Sequence, residues 1–210
     1  MTSPALTTWQ SRRLPRLDRL IALHPDTAGS TTDPAVAEEW THALVLRLTS
    51  EFQGFCRDLH TDLARTIARL LTEQNENTRS LVFAGLTRRR ALEQYSATVE
   101  SISGDFNRLS VDLVVLLSTH PRAGPQWADE LTLLHVARNG VVHDDPNKIE
   151  KLTQASRELS IETVTRWRNW VDGLVGAMDD VASSRMSELF GVIRWEEAIH
   201  VADRTMHGPS

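Results

Sequence analysis

The chain has 210 residues, of which 40% are hydrophobic and 24% are charged, and its formal net charge is −5 at pH 7. These values are ordinary for one sizeable globular domain, and the negative charge excludes general attraction of the whole protein to nucleic acid. A single cysteine excludes an internal disulfide, no apolar run reaches the roughly 18 residues of a membrane span and the N-terminus carries no export signal, so we expect a cytoplasmic protein without a membrane partner.

Helical signals begin near the N-terminus. The first 32 residues predict a short amphipathic helix around Leu14 to Leu23, followed by a linker rich in Gly, Ser and Thr. Asp33 followed by Pro34 is typical of a helix start, because proline fits the first turn and aspartate caps it. From there on, apolar spacings of three and four predict helices over 34–73, about 102–118, about 125–142 and 161–190.

No segment alternates convincingly between apolar and polar residues, so no strand is predicted. The predicted fold class is all-α, an antiparallel helical bundle of about four to six helices. We divide the chain into an N-terminal helix and linker (1–32), the bundle (33–196) and a C-terminal tail (197–210).

The most informative segment runs from Arg138 to His143. Arg138 continues, at position i+11, an apolar stripe that Trp127, Leu131 and Leu134 form at helical spacing. A guanidinium on such a stripe needs a partner or serves a function. His143 follows five residues later and titrates near neutral pH in its ordinary state.

Arg138 and His143 offer the chemistry that RNA cleavage through the 2′-hydroxyl requires. The guanidinium could bind two phosphate oxygens and the imidazole could transfer protons, while Asn139 could orient the substrate or the ring. On a continuous helix, residues five apart point about 140° away from each other. Gly140 can bend a helix and Pro146 disfavours helix just before it, so we expect His143 to lie at or just past the helix end, turned back toward Arg138.

The segment Leu134 to Asp144 resembles the R-N-x-x-x-H motif of the HEPN superfamily, which are small helical-bundle proteins. Many members are metal-independent RNases of bacterial toxin–antitoxin and antiphage defence systems. The resemblance implies that Arg138 and His143 are catalytic, with Asn139 auxiliary, and that no cofactor or metal is needed. It also implies an RNA substrate, a homodimer that places two Arg–His pairs in one cleft, and an antitoxin or defence-system partner.

Two flanking elements are similar to those of bacterial HEPN proteins in the RiboL-PSP group. The run from Asp105 to Arg108 is similar to their D-F-x-R-x-G element. The run from Gly191 to Trp195 is similar to their closing G-x-x-P-W, with arginine in place of proline. Toxins paired with a nucleotidyltransferase carry a tyrosine two residues after the histidine. Asp145 stands there in this chain, which argues against that kind of partner.

Other charged residues have alternative interpretations. Glu51 could orient the Arg–His site or could be solvated on the first long helix. Arg88, Arg89 and Arg90 could contact the RNA backbone or could form a solvated run. Asp105 is expected to cap the start of its own helix.

Asp144 and Asp145 place negative charge beside His143, where it would repel phosphate. We expect these carboxylates to pair with Arg57, with Arg65 or with a basic residue of a second protomer.

Two alternative functions remain open. In the first, the chain is a non-catalytic HEPN module that dimerises and binds a nucleotide. In the second, the chain is a metal-dependent phosphohydrolase that uses a His-Asp doublet. That enzyme would draw its ligands from His143 and Asp144, together with His120 or His135 and with Asp179 or Asp180.

Overall fold

A computed structural model describes residues 2–26, 33–72 and 75–191, and within these ranges the chain is helical without a strand. The helices are α1 (Pro4–Thr8), α2 (Leu14–Ala22), α3 (Pro34–Thr72), α4 (Glu76–Thr87), α5 (Ala91–Gln94), α6 (Val99–Asn107), α7 (Leu113–Ser118), α8 (Trp127–His143), α9 (Pro146–Gln154) and α10 (Ile161–Phe190). A wider π-helical turn, Trp9–Arg13, joins α1 to α2. None of the described helices is long and apolar enough to cross a membrane.

The predicted all-α class is confirmed, and the two long helices lie where the periodicity places them. α3 begins at Pro34, and α10 begins after Ser160, whose hydroxyl accepts the Thr163 amide at 3.3 Å. The single helix predicted over 102–118 is wrong. It is two helices, because Ser110 is left-handed and Asp112 caps a new start by accepting the Val115 amide at 3.2 Å.

The predicted count of four to six helices is not confirmed, because α1, α4, α5 and α9 come in addition to the helices that the periodicity indicates. Gly191 ends α10 in a left-handed conformation, which glycine adopts without steric cost. The predicted linker at 28–32, the closing motif at 192–195 and the C-terminal tail lie outside the described residues.

Helix α3 occupies the centre of the fold and contacts α1, α2, α4, α5, α6, α8 and α10. Its buried apolar residues belong to one hydrophobic cluster that also includes Leu6, Trp9 and Leu17 from the N-terminal helices. Trp9 packs edge-on against Phe55, with ring centroids 6.0 Å apart. Its indole nitrogen donates to Asp172 of α10 at 2.9 Å. The N-terminal helices therefore share the core of the segment that we assigned to the bundle.

A buried polar network links α3 to α5 and α6 through His60. His60 Nε2 lies 3.2 Å from the Asp105 carbonyl oxygen, and Arg90 Nη1 lies 3.4 Å from His60 Nδ1. Because a carbonyl only accepts and a guanidinium only donates, the ring carries its proton on Nε2. His60 is therefore held neutral, and burial, followed by the charge of Arg90, lowers its pKa to about 4.

Asp105 completes this network in a way that the sequence did not predict. It lies inside α6 rather than before it, so the expected cap of its own helix is wrong. Its two carboxylate oxygens accept the amides of Ala91 and Leu92 at 2.9 Å each and thus cap α5 instead. The following Phe106 packs edge-on against the His60 ring, at a centroid distance of 5.5 Å.

We expect His60 to make the protein less stable in mild acid. Because its folded-state pKa of about 4 lies below the ordinary 6.5, the unfolded chain binds more protons between these values. The free energy of unfolding therefore falls as pH falls from 6.5 toward 4, by about 3 kcal/mol at full effect. Urea titrations of wild type and His60→Gln across this range should show the steeper loss in wild type.

The comparison with the variant is needed because Asp62 has the opposite effect on stability. Burial raises the pKa of Asp62 to about 6, so its contribution to the free energy of unfolding falls as pH rises from 3.8 toward 6. Asp62 is present in both proteins, so its effect cancels in the difference. Parallel stability curves for the two proteins would contradict the assignment of a neutral, buried His60.

Candidate functional site

Helix α8 buries the apolar stripe and brings Arg138 to the edge of the core. Trp127, Leu131 and Leu134 are buried as the sequence predicts, and Arg138, one turn further along, is partly buried. Its Nη1 atom donates to Asn139 Oδ1 at 2.8 Å. Within the described ranges the Arg138 guanidinium has no carboxylate partner, so most of its donors remain available to an external acceptor.

His143 is the last residue of α8, and its side chain is exposed. It forms no hydrogen bond or ion pair with the residues that the structure describes. The expectation that Gly140 bends the helix and turns His143 back is wrong, because α8 is continuous from Trp127 to His143. The two side chains consequently leave the helix about 140° apart, and one protomer does not place them side by side.

Gly140 permits close packing instead of a bend. A Cβ atom at this position would lie 2.7 Å from Ile149 Cδ1 and 3.3 Å from Lys148 Cβ, both on α9. Asp144 then takes a left-handed conformation at φ 47°, and the Asp145 amide donates back to the Gly140 carbonyl at 2.9 Å. Glycine at this position therefore lets α9 pack closely against the end of α8.

The two aspartates after His143 have different surroundings. Asp145 caps α9 by accepting the Asn147 amide at 3.1 Å, and it pairs with Lys148 at 3.1 Å. The hydrogen bond from Lys148 is the main reason that the pKa of Asp145 is lowered. The Asp144 side chain is exposed and forms no bond with the described residues, so it remains the negative charge beside His143.

The expected pairing of these aspartates with Arg57 or Arg65 is wrong. Arg57 lies 3.6 Å from Glu93, and Arg65 lies 3.2 Å from Asp62 on its own helix. The cation that neutralises Asp145 is three residues further along the chain, a spacing that brings side chains together within one helical turn.

His135, one turn before Arg138 on α8, was considered from sequence only as a metal ligand. Its Nε2 lies 2.8 Å from the Ala97 carbonyl, which fixes the proton on that nitrogen. Its Nδ1 atom is buried and has no partner. Burial, and to a lesser degree the charge of Arg138, lowers the pKa of His135, so the ring is neutral beside the guanidinium.

Glu51 is neither solvated nor available to orient the Arg–His site. The residue is 3% exposed, and its carboxylate oxygens pair with Arg13 at 2.8 Å, Arg16 at 3.0 Å and Arg47 at 2.5 Å. Burial acts to raise the pKa of Glu51, but these arginines outweigh it, so the pKa is lowered. Glu51 holds the N-terminal helices against α3, a function that no local sequence pattern indicates.

The predicted basic run at 88–90 divides into two kinds of residue. Arg90 is buried and donates to Thr61 Oγ1 at 2.8 Å while it pairs with Glu93, so its assignment to RNA binding is wrong. Arg88 and Arg89 are exposed. Arg108, which the sequence analysis did not select, lies beside them because its guanidinium donates to the Arg88 carbonyl at 2.8 Å. Only its place in the Asp105–Arg108 element could have drawn attention to it.

The ligand set of a phosphohydrolase is not assembled in the described part of the chain. His120 lies 3.6 Å from Asp180, whereas Asp179 is buried and accepts the Ser3 amide at 3.2 Å. No group of three or more potential ligands lies close enough to share a metal ion in residues 2–26, 33–72 and 75–191.

A cavity of about 360 Å³ lies at the start of α8, lined by residues that include Pro125, Gln126, Trp167 and Trp170. Twelve residues separate Gln126 from Arg138, a distance of about 18 Å along the helix axis. The cavity and the Arg–His pair are therefore separate features, at opposite ends of α8.

We expect Asp144→Gly to stabilise the protein, because glycine adopts the left-handed conformation at a helix end without the steric cost that aspartate incurs. A gain of about 0.5–1 kcal/mol would raise the melting midpoint by about 1–4 °C in a chain of this length. Calorimetry measures the shift. Asp129→Gly, at an exposed position inside α8, is the control and should lower the midpoint.

No protein-family model, no curated protein and no solved structure matches this chain.

Proposed function

We propose that this chain is a metal-independent endoribonuclease of HEPN type that cleaves RNA through attack by the 2′-hydroxyl at a composite dimer site. The single observation that carries the proposal is the state of Arg138. Its guanidinium sits partly buried at the end of an apolar stripe, bonded to Asn139 and without a carboxylate partner among the described residues. A cation in that position is preorganised for an external anion such as a phosphate.

The reaction assigns one role to each side chain. His143 takes the proton of the 2′-hydroxyl, whose oxygen attacks the adjacent phosphorus, and the bond to the 5′-oxygen breaks. The departing 5′-oxygen takes up a proton from the second histidine of the proposed dimer, in its protonated form, which leaves a 2′,3′-cyclic phosphate and a 5′-hydroxyl. Arg138 stabilises the charge that develops on the phosphate oxygens, and Asn139 fixes the guanidinium through its amide oxygen.

The separation of Arg138 and His143 supports a two-fold dimer. Within one protomer the two side chains point about 140° apart and share no bond. One histidine cannot easily act as both base and acid in a single turnover. A symmetric dimer whose interface includes the end of α8 would supply two histidines and two arginines to one cleft.

The resemblance to HEPN RNases supports a biological setting in bacterial antiphage defence or in a toxin–antitoxin pair, with an antitoxin or defence-system partner that restrains cleavage. The negative net charge is consistent with an enzyme that engages RNA at a local site rather than over its whole surface.

We expect the purified protein to cleave RNA in the presence of EDTA and to leave 2′,3′-cyclic phosphate ends. His143→Ala should lower the rate by about 100-fold or more, the usual contribution of a proton-transferring side chain. Arg138→Lys should also be slow, because an ammonium keeps the charge but loses the bidentate geometry. Product ends are read by mass spectrometry.

His42→Ala is the matched control, since His42 lies on α3 with only a weak 3.9 Å contact to Glu38. It should cleave as fast as wild type. Equal cleavage by wild type and His143→Ala would exclude the proposed site. Tight nucleotide binding by calorimetry without cleavage would favour the non-catalytic module, and activity that EDTA abolishes would favour a metal enzyme.

A further inference from the structure

Three arginines meet on the surface where the turn between α4 and α5 lies against the end of α6. Arg108 Nη1 donates to the Arg88 carbonyl at 2.8 Å, and its Nη2 donates to the Gly85 carbonyl at 3.0 Å. These bonds hold the Arg108 guanidinium against the backbone of Arg88, the residue that precedes Arg89. All three residues are exposed, and we call them the arginine patch.

The arginine patch has no ion pair within the described ranges. Neighbouring arginines do have one, since Arg90 and Arg57 both pair with Glu93. A guanidinium has five donors, and Arg108 uses two nitrogens on backbone carbonyls, so donors remain on its outer edge. Within the described ranges, the patch therefore carries positive charge that no carboxylate pairs with, in a chain whose net charge is −5.

Arg89 provides an independent observation. Its φ is 53°, a left-handed conformation that costs a non-glycine residue about 1–3 kcal/mol. Its side chain forms no hydrogen bond or ion pair with the described residues that would offset this cost. A glycine or an asparagine would adopt this turn with less strain, so the turn itself does not require an arginine, and the Arg89 side chain is exposed to solvent.

We propose that the arginine patch binds the sugar–phosphate backbone of the RNA strand that is cut at Arg138 and His143. The inference rests on the proposed function, which makes RNA the polyanion that the protein meets. Guanidinium groups on an exposed turn suit phosphodiester oxygens through bidentate hydrogen bonds and carry no base specificity. The patch contributes affinity and register, while cleavage takes place at the end of α8.

The test measures binding of a short, fluorescently labelled, unstructured RNA by anisotropy in EDTA over a series of salt concentrations. All proteins carry His143→Ala so that the RNA stays intact. A plot of log affinity against log salt falls less steeply, by about 0.7, for each phosphate contact that is lost. At roughly 0.1 M salt, each lost contact also lowers the affinity about five-fold. We expect the double variant Arg88→Gln/Arg89→Gln to lose about two such contacts.

The matched control is Arg12→Gln/Arg19→Gln. It removes two exposed arginines that also lack ion pairs in the described part of the chain but lie on the N-terminal helices. Its salt slope should stay unchanged. An unchanged salt slope in the patch variant, or an equal reduction of the slope in the control variant, would overturn the proposal that the arginine patch binds RNA.

The variant Arg89→Gly distinguishes a role of Arg89 in RNA binding from a role in the stability of the fold. Because glycine relieves the left-handed strain, this variant should melt at a higher temperature than its parent while it binds RNA more weakly. A lower melting midpoint would show that the fold itself needs the arginine and would contradict the inference. If the wild type cleaves RNA and the patch variant binds as the parent does, only the patch fails. If the protein neither binds nor cleaves RNA, the proposed function fails as well.

Discussion

The long helix α3 buries side chains from Thr41 to Thr72, and two polar residues among them, Glu51 and His60, have partners from elsewhere in the chain. Glu51 obtains two of its three arginine partners, Arg13 and Arg16, from the N-terminal helices. His60 obtains its two partners from Arg90 and from the Asp105 carbonyl. These contacts fix where α2, α5 and α6 lie around α3. A buried polar group without such partners would destabilise the fold by roughly the cost of desolvating it.

The sequence predicts those parts of the fold that depend on local periodicity. It places α3 and α10 and the buried stripe of α8, because apolar residues at spacings of three and four report burial directly. It does not predict that Asp105 caps α5 or that Glu51 meets Arg13, because those partners are far apart in sequence. Such contacts depend on how whole helices pack together, and the spacing of residues along one sequence does not reveal that packing.

In the candidate site, too, the sequence predicts the features that depend on local periodicity and misses those that depend on tertiary packing. The sequence identifies Arg138 as an arginine at the edge of a core, and the structure agrees. It also places the end of α8 near His143, but it does not reveal that Gly140 leaves the helix unbent, because the close packing of Gly140 against α9 depends on tertiary structure. Arg90 belongs to the same run as Arg88 and Arg89, and only tertiary structure separates the buried arginine from the exposed ones.

The close contact of Gly140 with Ile149 and Lys148 has a mechanical consequence. Helices α8 and α9 are joined by a tight turn, and the backbone of α8 at Gly140 packs directly against the side chains of Ile149 and Lys148. Arg138 and His143 both lie on α8, so the helix fixes the distance between their backbone positions within each protomer. In the proposed dimer, the second protomer has to fit this spacing. A larger residue at position 140 would push against α9 and change that fit without altering Arg138 or His143.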